Sequence, residues 1–281
     1  MKVLRTAAEV RAWRARTGRV GLVPTMGALH AGHVSLVERS RAEADSTIVS
    51  IFVNPTQFGP NEDFAKYPRQ EAADLALLER AEATAAFLPS VEQMYPPGDT
   101  MRVDPGPIAA PLEGASRPGH FVGVATVVAK LFDIARPDAA YFGQKDFQQL
   151  RVLQMMARER HPNIGVIGCP IVREDDGLAL SSRNAYLTEQ QRRDALALSR
   201  GLFRARELWG EGVRHTDRLT NAVRRYTDGP GVKVEYVSAA DPITLAELHG
   251  PATRVVLSLA ARVGTTRLID NVLLGMDVSE L

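Results

Sequence analysis

The chain has one cysteine, almost no net charge and no long apolar run. A single thiol excludes an internal disulfide and a cysteine-built zinc site, and its place in the apolar run 164–172 predicts a buried structural group. No stretch reaches the roughly 20 apolar residues of a membrane span, and the arginine-rich first segment is not expected to be a secretory signal. The formal charge of +1 gives no broad basic field for nucleic acid or an anionic membrane. We therefore expect a cytoplasmic protein that acts on small charged metabolites, with no nucleic-acid or membrane partner.

The pattern of strands and helices changes near residue 175. Apolar strands alternate with helices over 1–174, which predicts an α/β domain with a parallel sheet and right-handed crossovers. Two helices followed by alternating strands over 175–281 predict a smaller α+β domain. The strands are expected at 20–23, 47–53, 85–88, 139–142, 164–172, 232–237, 254–263 and 266–274. The helices are expected from Thr6 onward and at 33–44, 70–82, 119–135, 146–160, 188–211 and 216–226.

The segment Val23–His33 joins a buried strand to a helix and carries two histidines three residues apart. Gly27 and Gly32 let the backbone approach a ligand closely. The first amides of a helix have no partner within it and its dipole makes that end electropositive, so phosphate is stabilised there. His30 and His33 can donate hydrogen bonds to such an anion. The motif by itself leaves open the alternative of capping or core histidines beside a loop glycine.

Two uncharged amides follow the next strand. Asn54 and Gln57 supply both donors and acceptors, which suits a substrate that carries hydroxyls and a carboxylate. Parallel sheets bind their ligands beyond the carboxyl ends of the strands, where these residues are expected. An ordinary turn at Asn54–Pro55 is the alternative.

Lys145 and Arg183 are the candidate phosphate-binding cations. Lys145 follows a predicted strand, Asp146 is expected to cap the next helix, and Gln149 lies one turn further along. Arg183 follows two serines, and its guanidinium together with the hydroxyls of 181–182 could wrap a triphosphate. The alternatives are a solvated lysine beside an ordinary N-cap and a polar interdomain loop.

Taken together, five segments resemble the pantothenate synthetase family. They are Pro24–His33, Phe52–Phe58, Glu113–His120, Gly143–Gln149 and Leu180–Asn184, and the resemblance extends to Arg267–Asn271. The family condenses pantoate with β-alanine at the expense of ATP, through an acyl adenylate. The resemblance implies a Rossmann-like ATP- and pantoate-binding catalytic domain over 1–174, a lid domain over 175–281, ATP as co-substrate, Mg²⁺ as its counter-ion, and a homodimer.

The resemblance also implies roles for individual residues. His33 would be the proton donor and His30 its phosphate-binding companion. Gln57 and Gln149 would be the pantoate-binding glutamines, with Gln57 also where β-alanine is expected, and Asn54 is a further candidate substrate-binding amide from its place after the strand. The catalytic group would comprise His30, His33, Lys145, Ser181, Ser182 and Arg183. The nucleotide site would add Met26, Gly27, Ala28, Leu29, Ala31, Gly32, Gly143, Gln144, Asp146, Val172 and Leu180. No magnesium ligand set is spelled out, although Asp74 is a candidate, and Arg117 and His120 carry no assigned role.

Two other classes share parts of this pattern. A different nucleotidyltransferase would keep the histidine pair and the Ser-Ser-Arg loop but has no evident need for Gln57 and Gln149 around a small hydroxy acid. A nucleotide-sensing or RNA-binding module could keep the fold, but the intact His33 and Lys145 argue against it, as does the near-neutral charge.

Overall fold

A computed structural model describes residues 1–60 and 62–281. By its internal contacts the chain forms two compact units. The first comprises Met1–Gly143 with Gln148–Cys169, and the second comprises Gln144–Phe147 with Pro170–Leu281. Over the described ranges, no helix combines the length and the apolar character needed to cross a membrane.

The first unit is built on a parallel sheet. Its strands are β1 (Lys2–Leu4), β2 (Val20–Thr25), β3 (Ser46–Ile51), β4 (Ala85–Phe87), β5 (Ala139–Gly143) and β6 (Gly165–Cys169). They pair in the order β1-β4-β3-β2-β5-β6, and every neighbouring pair is parallel. Central strands of such a sheet are covered on both faces, which explains why β2 and β3 are buried along nearly their whole length.

Helices connect these strands. They are α1 (Ala7–Arg14), α2 (Ala31–Glu43), α3 (Glu71–Arg80), α4 (Val91–Met94), α5 (Glu113–Ser116), α6 (His120–Ala135) and α7 (Phe147–Arg160). A capping box of Thr6 and Glu9 starts α1, and α6 is buried around most of its surface. The strand order reverses between β2 and β5, and doubly wound sheets bind their ligands at such a switch point.

The second unit, described throughout, pairs two helices with an antiparallel sheet. The helices are α8 (Glu189–Gly210) and α9 (Thr216–Thr227), and the strands are β7 (Val232–Ala240), β8 (Val255–Val263) and β9 (Thr266–Leu274) in the order β7-β8-β9. Leu202 and Val223 on the helices share one apolar core with Leu257 and Leu259 on β8. The core of the parallel sheet is a different cluster, which includes Val23 on β2 and Val49 on β3.

The predicted fold class is confirmed: a Rossmann-like parallel sheet and a smaller α+β region. The expected strand over 164–172 is shorter and ends at Cys169, because Pro170 has no amide hydrogen to continue the ladder. Strand β1 is only three residues long and was not predicted from the sequence. Along the chain, the first unit ends at Cys169 and the second continues from Pro170, whereas the sequence predicted the domain boundary after residue 174. Gln144–Phe147 also belong to the second unit by their contacts.

Candidate active site

The turn between β2 and α2 holds both histidines in a reciprocal cap. His30 is the N-cap of α2, and its Nδ1 accepts a hydrogen bond from the amide of Gly32 at 3.1 Å. The amide of His30 donates to Nδ1 of His33 at 3.3 Å, and the two ring centroids are 4.1 Å apart. Two imidazoles thus fill the positions that Ser or Thr and Glu usually occupy in a capping box.

This cap fixes the tautomer of each neutral ring. A ring nitrogen that accepts an amide hydrogen carries no proton, so the proton of neutral His30 and of neutral His33 lies on Nε2. Both rings therefore have an Nε2–H donor at a helix N-terminus, where backbone amides and the dipole stabilise anions. The capping role and the phosphate-binding role that the sequence left open are compatible, because capping uses Nδ1 and ligand binding would use Nε2.

A buried carboxylate shapes the turn that leads to His30. Asp74, only 1% exposed, accepts the amide hydrogens of Ala28 at 2.9 Å and Leu29 at 2.8 Å. Ala28 has a φ of +50°, an uncommon value for a residue with a Cβ, and Gly27 has a φ of +82°. Asp74 therefore stabilises a left-handed turn, as carboxylates do when they bind successive amides.

The structure does not support Asp74 as a magnesium ligand, since both of its oxygens already accept amide hydrogens. The role of Asp74 as a support of the turn was not predicted from the sequence. The available signal was a carboxylate four residues before the buried Leu78, hence on the apolar face of α3.

Asn54 and Gln57 lie together at the carboxyl end of β3. Nδ2 of Asn54 donates to Oε1 of Gln57 at 3.0 Å, and Nε2 of Gln57 donates to the sulfur of Met26 at 3.2 Å. The hydroxyl of Tyr95 donates to Oδ1 of Asn54 at 2.8 Å. Oδ1 also accepts from the amide of Thr56, so Asn54 forms a turn as well as orienting Gln57.

Arg117 and His120 pack against the same loop. Arg117 makes a two-point ion pair with Glu62, at 2.6 and 2.8 Å, and its Nη1 lies 2.9 Å from Nε2 of His120. Nδ1 of His120 lies 2.9 Å from the carbonyl oxygen of Gln57. Burial opposes ionisation of Glu62, but the hydrogen bonds and charge of Arg117 outweigh it and lower the pKa of Glu62 to about 2. Burial, together with the charge of Arg117, lowers the pKa of His120 to about 4.

We expect the stability of the protein to depend on His120 between pH 6.5 and about 4. The lowered pKa means that the unfolded chain binds the proton first, so stability is complete above pH 6.5 and is lost as the pH falls to about 4. The difference between the pKa of His120 in the unfolded chain, 6.5, and in the folded protein, about 4, corresponds to about 3 kcal/mol of unfolding free energy. Urea unfolding at pH 7, 5 and 4 should show a shallower loss in His120→Asn than in the unmodified protein. Equal losses of stability with falling pH in the two proteins would contradict the expectation.

Glu62 contributes to stability in a more acidic range. Its pKa is lowered, so its contribution to the unfolding free energy is complete above about pH 4.5 and is lost as the pH falls to about 2.

Asn271 supports the turn that carries Lys145. Its Nδ2 donates to the carbonyl oxygens of Gln144 at 3.0 Å and Lys145 at 2.9 Å, and its Oδ1 accepts from Nε2 of Gln144 at 3.1 Å. Nζ of Lys145 lies 3.3 Å from Oδ2 of Asp146. The turn Gln144–Asp146 leads directly into α7. These contacts place the lysine turn with the second unit.

Asp270, next to Asn271, anchors another predicted segment. It makes a two-point ion pair with Arg173 at 2.7 and 2.8 Å. Asp270 and Asn271 are 3% and 2% exposed. Two consecutive buried polar residues break the alternation expected of β9, and that break was the signal in the sequence for this missed pair.

The Ser-Ser-Arg loop is ordered within the second unit. The amide of Leu180 donates to the carbonyl of Val172 at 3.0 Å, and the hydroxyl of Ser181 accepts from the amide of Arg183 at 3.3 Å. A short 3-10 helix, Ser182–Tyr186, follows this cap. The loop therefore has defined backbone geometry, unlike an unstructured linker.

The structure groups the predicted residues within each unit. The first holds His30, His33, Met26, Asn54 and Gln57, with Gln149 on α7, and the second holds Lys145, Asp146, Val172 and the segment 180–183. Cys169 is 3% exposed, and burial raises the pKa of its thiol to about 11, which confirms a structural thiol. Among the described residues, no cluster of three or more His, Cys, Asp or Glu forms a metal site.

The fold defines a class, the Rossmann-like α/β proteins, whose ligands bind at the switch point of the sheet, and here the histidine-capped helix follows a strand at that point. Comparison with known proteins gives the family. A profile described as pantoate-beta-alanine ligase matches residues 2–273. The chain therefore belongs to the pantoate-beta-alanine ligase family.

Individual relatives agree with this membership. The chain is 55% identical to the pantothenate synthetase of Roseiflexus castenholzii over 276 residues, which is 98% of this chain and 99% of the relative. It is similar to the crystal structure of pantothenate synthetase from Thermus thermophilus, with a TM-score of 0.92, 45% identity and coverage of 97% and 99%. Pantoate-beta-alanine ligase from Francisella tularensis, crystallised with beta-gamma ATP and beta-alanine, gives a TM-score of 0.81 at 36% identity, with coverage of 99% and 100%.

Proposed function

We propose that this protein condenses pantoate with β-alanine at the expense of ATP and forms pantothenate, AMP and pyrophosphate. Family membership supports the reaction, and the Francisella relative, crystallised with an ATP ligand and beta-alanine, supports these two substrates. The observation that carries the proposal is the reciprocal cap of His30 and His33, which gives an anion-binding helix end two Nε2–H donors.

The chemistry requires activation of a carboxylate, because an oxide is too poor a leaving group for direct attack by an amine. A carboxylate oxygen of pantoate attacks the α-phosphorus of ATP, and the bond from that phosphorus to the bridging oxygen breaks with release of pyrophosphate. The product is pantoyl adenylate. The nitrogen of β-alanine then attacks the acyl carbon, the carbon–oxygen bond to AMP breaks, and the nitrogen loses its proton to the surroundings. The protein mainly positions the reactants and stabilises developing charge.

We assign the first unit to the reacting centre. His33 donates through Nε2 to the phosphoryl group as charge develops on it, and His30 binds the adjacent phosphate. The amides of Gln57 and Gln149 bind the hydroxyls and carboxylate of pantoate, and Asn54 fixes the orientation of Gln57. Pantoate thus lies beyond the carboxyl ends of the strands.

We assign the second unit to the nucleotide. Lys145 offsets phosphate charge, and Asn271 holds the backbone from which it extends. Ser181, Ser182 and Arg183 contact the triphosphate, and the backbone of Val172 borders the adenine. The region 175–281 acts as a lid that ATP binding closes. Hydrogen exchange measured with and without ATP tests this closure. If ATP gave no protection to the amides of this region, the lid proposal would be wrong.

The proposal also includes a metal ion, an oligomeric state and a cellular location. Mg²⁺ enters with ATP and is held mainly by phosphate oxygens and water, as is common for this ion. We propose a cytoplasmic homodimer, which sedimentation of the purified protein would test by its mass.

The reaction is tested with a coupled assay for AMP in which pantoate and β-alanine are each omitted in turn. We expect AMP formation to require both substrates, and pyrophosphate release to require pantoate. Activity with other acids or nucleotides in place of pantoate and ATP would favour a different nucleotidyltransferase. Binding of ATP without any pantothenate formation would favour a nucleotide-sensing module.

Replacing Asp74 with asparagine should lower turnover by more than about tenfold. Asparagine has one acceptor oxygen in place of two, so the amide of Ala28 or Leu29 loses its partner and the turn before His30 relaxes. The unsatisfied buried amide should also lower the unfolding free energy by about 1–3 kcal/mol. The exposed Asp133→Asn in the same unit is the matched control for both the assay and urea unfolding. Unchanged turnover in Asp74→Asn would contradict the proposed support of the turn.

A further inference from the structure

Arg117 and His120 have no part in the proposed chemistry, yet they are built into the loop that carries Gln57. The guanidinium of Arg117 is anchored by two hydrogen bonds to Glu62 and turns Nη1 toward Nε2 of His120. His120 and Gln57 are each only 8% exposed. A buried imidazole held on both nitrogens is fixed in position and in tautomer.

The tautomer follows from the donors around the ring. A guanidinium has no acceptor, so the contact with Nη1 requires that Nε2 of His120 accept and carry no proton. The proton of the neutral ring then lies on Nδ1, which donates to the carbonyl oxygen of Gln57 at 2.9 Å. His120 therefore has the opposite tautomer to His30 and His33.

Several contacts converge on the backbone of Gln57. Its carbonyl oxygen also lies 3.4 Å from Nη2 of Arg117. Gly123 on α6 lets the loop approach closely, since a Cβ there would lie 2.8 Å from Cα of Gln57. The charged groups that act on His120 are Arg117, Glu62 and Glu113. The backbone of Gln57 is thus fixed by groups that are distinct from Asn54, which orients its side chain.

We propose that Arg117 and His120 are positioning residues for pantoate: Arg117 holds His120 as the Nδ1–H tautomer, and this donor fixes the carbonyl of Gln57 so that its amide meets the substrate. This inference rests on the proposed function, in which Gln57 binds pantoate. It assigns a task to the segment 113–120, whose role the sequence left open.

Two substitutions distinguish the roles of the two ring nitrogens of His120. In His120→Asn the amide nitrogen can occupy the place of Nδ1 and keep the bond to Gln57. In His120→Gln the amide oxygen can occupy the place of Nε2 and keep the contact with Arg117, while the donor to Gln57 is lost. We expect His120→Gln to raise the KM for pantoate about tenfold with a change in kcat below about threefold, and His120→Asn to leave that KM within about twofold. The exposed His215→Gln is the control for the substitution itself.

A purely structural role predicts another result, in which both variants lose folded protein and neither changes the KM for pantoate. That outcome, or a larger KM in His120→Asn than in His120→Gln, overturns the positioning role. Nitrogen-15 NMR of the unmodified protein tests the tautomer without any substitution: we expect an Nδ1–H imidazole, and an Nε2–H signal for His120 overturns the inference. Absence of pantothenate with the unmodified protein overturns the proposed function as well, whereas an active enzyme with equal KM values overturns only the positioning role.

Discussion

Replacing His33 with asparagine should reduce kcat by about 100-fold or more. We expect replacement with alanine to cause a loss of the same size. Loss of a positioned proton donor or charge-stabilising group typically costs this much. The asparagine oxygen can still accept the amide hydrogen of His30 in place of Nδ1, but nothing replaces the Nε2–H donor. The KM for pantoate should change little, because the contact strengthens in the transition state. Steady-state assays of AMP formation measure both quantities.

Glutamine at position 33 is the complementary variant. Its amide nitrogen can lie where Nε2 lies, so it keeps a donor while it loses the capping acceptor. We expect His33→Gln to retain more turnover than His33→Asn and to unfold at lower urea concentration. If His33→Asn kept near-normal turnover, the ring would be a helix cap alone, and the catalytic assignment would be wrong.

Replacing Lys145 with methionine should reduce turnover by about 100-fold or more. The substitution keeps much of the apolar stem and removes the ammonium group that we assign to phosphate charge. An ammonium that stabilises the transferring phosphoryl group contributes mainly in the transition state, so kcat should fall more than the KM for pantoate rises. Product formation under saturating ATP measures the effect on kcat.

Two further variants separate charge from position at this turn. Lys233→Ala removes an exposed charge from the same unit and should leave turnover unchanged. Asn271→Ala keeps the ammonium but removes the three side-chain hydrogen bonds to Gln144 and Lys145, so we expect an intermediate loss of turnover. Normal turnover in Lys145→Met would show that other groups stabilise the phosphate charge. The assignment of Lys145 to the phosphates would then be wrong.

The histidine turn was the part of the candidate site that the sequence predicted best. Its hydrogen bonds join residues two and three positions apart, so the spacing of His30 and His33 at a strand-to-helix junction already contains the geometry. The same holds for the capping box at Thr6. For Asn54 and Gln57 the sequence predicted only a shared position after a strand, and the structure adds the hydrogen bond between them. The tautomers of His30 and His33 could be assigned only from the structure, because they depend on which ring nitrogen accepts a backbone amide hydrogen.

The supports of the site were not predictable in the same way. Asp74 reaches an amide 46 positions away, Glu62 pairs with Arg117 across 55 positions, and Asn271 binds the carbonyl of Lys145 across 126. Each pair meets only because particular strands and helices become neighbours. Asp74 illustrates the consequence, since its sequence position suggested a metal ligand, whereas its carboxylate holds two amides.

The sequence by itself determined the fold class, the order of strands and helices apart from the short elements β1, α4 and α5, and the residues with the right chemistry for phosphate and a hydroxy acid. These follow from hydrophobic period, local capping and turn formation, which act over a few residues. The tertiary structure alone decided which distant side chains hold the histidine, glutamine and lysine turns in place. The physical reason is that buried hydrogen bonds and ion pairs depend on the packing of whole elements, and no local pattern encodes which groups that packing brings within about 3 Å.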